Sequence, residues 1–170
     1  MTTRLGQANV ETIPSGVAGP RVTLGRMKQL VNQSLTDPVV IQAARSVVAL
    51  EMPRDKDSHA RAVKAYLVDH FQFIPDPRGV EALATPRIML DRLRTGYFVQ
   101  GDCDEAAILG AAMGKAIGLR AVFVALGFIP RAPLSHVYTI LRGATGWLSL
   151  DVTKPQRPLP AAVQQFCMEV

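Results

Sequence analysis

Residues 101–124 read GDCDEAAILGAAMGKAIGLRAVFV, and the hydrophobic period of this run changes partway along. Asp102 to Ile117 is rich in Ala, Gly, Leu and Met, with Gly118 as a stop, and reads as a helix. From Ala121 to Phe128 the residues form a nearly continuous apolar run of strand formers. Asp102 and Glu105 stand three apart in the pattern of a capping box, with Asp replacing Ser or Thr, which puts Cys103 at the first helical position. A sulfur there faces the positive end of the helix dipole, and the thiolate is the form such a position favours. Asp102 and Asp104 oppose this through like charge, so a nearby imidazolium is needed for the thiolate to win.

Two further β-rich runs lie downstream. SHVYTIL (135–141) alternates from His136 to Leu141, and GWLSLDVT (146–153) carries a third run from Trp147 to Val152, with Arg142 to Gly146 as the turn between them. Antiparallel pairing of these two strands sets His136 and Asp151 side by side on one face. The order nucleophile, base, orienter is then complete: Cys103 attacks, His136 takes and returns a proton, and Asp151 holds the imidazole tautomer. Taken singly, each residue is ordinary: a small buried hydrophobe, a strand histidine, a turn-capping carboxylate. Their company carries the chemistry. One thiol without a second Cys or a His at ligand spacing argues against zinc, and no metal or cofactor is expected. His59 and His70 read as solvated or structural, Trp147 as a core or sheet residue, and Cys167 as a spectator.

Upstream, the pattern is helical. Leu24, Met27, Leu30 and Val31 recur at helical spacing from Thr23, and Thr36-Asp37-Pro38 supplies a stop and a new start for a second helix running to about Leu50. A third follows the charged stretch Arg54 to Arg61 and ends before Pro75 and Pro77, and a fourth spans Pro86 to Leu93, closed near Gly96. Residues 1–22 carry no periodicity and read as an extended or disordered N-terminal arm. Residues 154–170, with Pro155, Pro158 and Pro160, read as a tail that wraps the surface before one last helical turn. The domain proper is expected at 23–153.

Composition narrows the function classes. In 170 residues, 48% hydrophobic and 19% charged, there is enough apolar material for one core. No apolar run reaches membrane-spanning length and Met1 to Pro20 lacks a signal-peptide pattern, so the expectation is a cytoplasmic protein without a membrane partner. Two cysteines make a poor disulfide framework, so reduced thiols are expected. The 19 Lys+Arg against 14 Asp+Glu give a net charge of +5, spread along the chain without an aromatic-interleaved stripe, which argues against nucleic acid.

The three strings GDCDEAAILGAAMGKAIGLRAVFV, SHVYTIL and GWLSLDVT resemble the successive motifs of the transglutaminase-like superfamily: Cys at a helix start, His on a strand, Asp on the next strand. Phe73-Ile74-Pro75-Asp76-Pro77, with Glu81 and Pro86, resembles the small version common in phage and prophage genomes, and the likeness covers about Thr23 to Thr153. The resemblance implies an α+β, papain-like fold with the Cys helix packed on a small antiparallel sheet. It implies a thioester acyl-enzyme resolved by water, as in a peptidase or amidase acting on a peptide, protein or peptidoglycan amide, or by an amine, as in a transglutaminase. No calcium is carried over. The Cys103 N–H is one expected oxyanion donor, and Gln100 is named as the second by its nearness in sequence, since papain-like relatives use a glutamine upstream of the cysteine. The alternative implied by the phage likeness is a virion or tail structural protein that keeps this fold, active or not, and contacts other phage proteins through its N-terminal arm and C-terminal tail.

Overall fold

The computed structural model describes residues 9–11, 19–76, 81–153 and 161–170. Caps and prolines divide the first half of the chain into helices. Helix α1 (Gly19–Ser34) is followed by α2 (Pro38–Val47), where Asp37 accepts from Val39 N and Pro38 occupies the first turn. Helix α3 (Lys56–His70) starts at Asp55, which accepts from the Asp57 and Ser58 amides, and α4 (Pro86–Arg94) starts at Thr85, which accepts from Ile88 N. Helix α5 (Cys103–Ala116) completes the set. The second helix stops at Val47, short of the expected Leu50.

Every residue of α5 from Asp104 to Gly114 is buried, so this helix is the centre of the core. Helices α1, α2, α3 and α4 all pack against it, and the sheet closes its remaining side. Its small residues make that possible. A Cβ at Gly110 would sit 3.0 Å from Leu150 Cδ2 and 3.1 Å from Leu67 Cδ1, and one at Gly114 would run into the Leu141 side chain. The Ala/Gly face is thus a close-packing surface between a helix layer and a sheet.

The principal sheet has the order β7-β6-β5-β8, built from β5 (Ala121–Gly127), β6 (His136–Arg142), β7 (Trp147–Ser149) and β8 (Gln164–Glu169), with every pairing antiparallel. Strand β6 turns Val137, Thr139 and Leu141 toward α5, and the buried Thr139 hydroxyl donates to the Ala107 carbonyl at 2.7 Å. That bond joins strand to helix one turn inside α5. Two small pairs lie outside this sheet: β1 (Asn9–Glu11) antiparallel to β3 (Glu81–Leu83), and β2 (Phe71–Phe73) parallel to β4 (Val99–Gly101). The molecule is α+β, as expected. Among the described residues no helix is long and apolar enough to cross a membrane, and both cysteines are free thiols.

Three expectations need correction. Within the 1–22 arm, residues 9–11 are paired as a strand and α1 begins at Gly19, because Pro20 suits the first turn of a helix; residues 1–8 and 12–18 lie outside the described residues. Within the 154–170 tail, the last stretch is strand β8, not a helical turn: Phe166 and Met168 alternate with the exposed Gln165, Cys167 and Glu169, a period of two. The domain therefore extends past Thr153, with residues 154–160 outside the described ones. The third run is also shorter than expected, ending at Ser149, so that Asp151 stands just beyond the strand end.

Candidate active site

The chain enters α5 from β4 through Gly101 and Asp102. Asp102 Oδ1 accepts from Asp104 N at 3.0 Å while Glu105 Oε2 accepts from Asp102 N at 3.1 Å, which completes the expected capping box. Gly101 is required beside it, because a Cβ there would lie 2.6 Å from the Glu105 Cβ. The second Glu105 oxygen accepts from Ala84 N at 3.1 Å and so ties the head of α5 to the residue after β3. Cys103 thus occupies the first helical position, partly buried, and its N–H is the first-turn donor that no described acceptor takes.

Electrostatics at the sulfur run against a resting thiolate. Burial pushes the Cys103 thiol far above the ordinary cysteine range, and the charges of Asp104 and Asp102 push it further. The Val137 backbone N–H, on β6, pulls the other way without winning. The thiol's own hydrogen bond goes to Asp104 Oδ1 at 3.6 Å. The Cys103 side chain is therefore favoured as a neutral thiol.

The candidate base stands one residue from Val137. His136 opens β6 and Leu126 of β5 lies across from it; its side chain is only 9% exposed, flanked by the rings of Phe128 and Tyr138 at 6.5 and 5.9 Å between centroids. Its Nε2 lies 2.8 Å from Asp151 Oδ2. Burial alone would raise the Asp151 carboxyl, but hydrogen bonds from His136 and Thr153 outweigh it and hold the group below the usual carboxylate range. An ionised carboxylate only accepts, so Nε2 carries a proton toward Asp151. The two ties that bring β6 to the head of α5 are in phase: Thr139 bonds Ala107, and two residues back along the strand Val137 reaches the sulfur four residues back along the helix.

Gln100 is not drawn to this cluster. It lies exposed on β4, and its side-chain amide donates to Gln72 Oε1 at 3.2 Å across the β2–β4 pair. Two contacts of the site had no signal in the sequence reading. Thr153 Oγ1 donates to Asp151 Oδ1 at 2.8 Å, and Asp151 N donates to Ser149 Oγ at 3.3 Å. A hydroxyl two residues on either side of a carboxylate is the available hint. Potential ligand atoms of Asp102, Cys103 and Asp104 lie within 4.8 Å of one another, but the Asp102 oxygen serves the helix cap and the arrangement reads as a capped helix start.

No family model matches the chain, and no curated protein matches it either. Among solved structures it is similar to a putative protease from Parabacteroides distasonis, with 14% identity and a TM-score of 0.57 over 78% of this chain. The chain spans about a quarter of that protein, 26% of its length, and the likeness is one of fold.

Proposed function

We propose that the protein is a cysteine-dependent amide hydrolase of papain-like, transglutaminase-like architecture, working through a thioester acyl-enzyme with Cys103, His136 and Asp151. The observation that carries this reading is the 2.8 Å His136–Asp151 pair at the start of the strand whose next amide bears on the Cys103 sulfur. The protease-named neighbour is compatible with it at the level of fold.

In the first half-reaction the Cys103 sulfur attacks the amide carbonyl carbon as its proton passes to His136 Nδ1. The oxyanion so formed is met by the Cys103 N–H. Collapse breaks the C–N bond, with the Nδ1 proton going to the leaving amine, and leaves a thioester. Water then gives its proton to Nδ1 and its oxygen to the acyl carbon, the C–S bond breaks, and the thiol is restored. An amine in place of water would make the same site a transglutaminase. Throughout, Asp151 keeps its charge and stabilises the imidazolium.

The test is hydrolysis of a fluorogenic peptide set and of peptidoglycan fragments by the purified chain, with Cys103→Ala beside it. Cleavage that disappears in Cys103→Ala supports the reading, and full cleavage by Cys103→Ala overturns it. Addition of a labelled primary amine separates transfer from hydrolysis.

A further inference from the structure

The geometry points to Thr153 as a positioning residue for the proposed reaction, a fourth member that fixes the Asp151 carboxylate and through it the His136 ring. The inference rests on the catalytic reading above. Asp151 follows β7 by two residues, one past the Leu150 N–H that donates to Thr139 O at 2.8 Å, yet its side chain has to aim one oxygen at an imidazole. A carboxylate on a short side chain turns easily about its last torsion. Here both of its oxygens are occupied: Oδ2 by His136 Nε2 at 2.8 Å and Oδ1 by the Thr153 hydroxyl at 2.8 Å. Rotation about that torsion would break both bonds at once.

The surroundings of Thr153 fit this task. It is 7% exposed, so water is a poor substitute for its hydroxyl, and that hydroxyl's described acceptor is Asp151. On the other side of the turn Ser149 Oγ accepts from Asp151 N, so the segment from Ser149 to Thr153 closes on the carboxylate from both directions. The titratable groups that bear on Asp151 are His136, in contact with it, and Tyr138, whose hydroxyl is held above its ordinary range by burial first and then by the Asp151 charge. With the hydroxyl removed, one carboxylate oxygen loses its donor, Asp151 takes up a proton more readily, and the imidazole loses its fixed aim.

The experiment compares Thr153→Val, which keeps shape and loses the hydroxyl, with Thr153→Ser, which keeps the hydroxyl. Both are made in a Cys167→Ser background so that Cys103 alone reports. The readouts are the pH profile of Cys103 alkylation by iodoacetamide and, on any amide substrate found, kcat and KM separately. Expected for Thr153→Val are alkylation about tenfold slower at pH 7, an acid limb moved to higher pH, and a loss in kcat with KM within about twofold, all restored by Thr153→Ser. A Thr153→Val profile that superimposes on the parent overturns the inference, as does an equal loss in Thr153→Ser. Should Thr153→Val fail to fold, the parent decides: a slowly exchanging Thr153 hydroxyl proton in its NMR spectrum, lost as Asp151 is protonated, supports the role, and a freely exchanging one overturns it. A chain that cleaves no amide defeats the catalytic reading alone, because the alkylation profile still tests the Thr153–Asp151–His136 chain.

Discussion

Asp102 has two roles that pull against each other. Its carboxylate caps α5, and its charge helps to raise the thiol at the next position. Asn caps a helix about as well without the charge, so Asp102→Asn should keep the fold while iodoacetamide alkylation of Cys103 at pH 7 speeds up and its thiol titrates lower. An unchanged rate would mean that burial and the Asp104 charge govern the sulfur. Asp151→Ala should leave the secondary structure intact and lower kcat by about 10³–10⁴, because nothing then orients the His136 ring or offsets its charge; this is read by circular dichroism and turnover on the same sample. Gln100→Ala should change kcat little, since that amide is spent on Gln72. A loss above about tenfold would return Gln100 to the oxyanion role. At this scale the capped position of Cys103 and the pairing of His136 with Asp151 were legible from residue type and local order. The Thr153 contact was not, because a hydroxyl's partner depends on how a turn closes, which no spacing rule specifies.

Helix α5 is where local and long-range demands agree most closely. Its capping box could be read from two residues three apart, and its Ala/Gly content from the need to approach a sheet. The depth of that approach appears in Gly114, which faces Leu141 of β6 with no room for a methyl group. Gly114→Ala should gain helix propensity and still lose about 1–3 kcal/mol of stability through overpacking, measurable as a lower urea midpoint. A gain in stability would show that Leu141 moves aside at little cost. The small strands β1, β2, β3 and β4 were not foreseen, since three-residue strands carry too few positions to display a period of two. Strand β8 was illegible for a different reason: it follows prolines at 155, 158 and 160, which break regular structure, and its own alternation is only six residues long.

Considered whole, the molecule stores a pH dependence in its core. Burial, and then the charge of Asp102, raise the Glu105 carboxyl from 4.5 to about 7, although the Asp102 and Ala84 amides pull downward. Between these values the folded chain keeps a proton that the unfolded chain has released, so this contribution to stability is full below pH 4.5 and is lost as pH rises through 7. The loss is on the order of 3 kcal/mol. The urea midpoint of the parent should therefore fall between pH 5 and pH 8 relative to that of Glu105→Gln, and parallel profiles for the two would remove Glu105 as the cause. A chain ending at Thr153 should aggregate or melt well below the full chain, because it leaves the β5 edge open and uncovers the surface packed by Phe166, Met168 and Val170. Equal melting temperatures would make β8 dispensable. Most helix starts and the mixed α+β character were present in local chemistry, because caps, prolines and hydrophobic period act within a few residues of one another. Which side chain each candidate group touches, how far burial displaces its proton, and which segment completes the sheet depended on packing between segments far apart in sequence. Burial and long-range pairing are properties of neighbours that a linear order of residues does not contain.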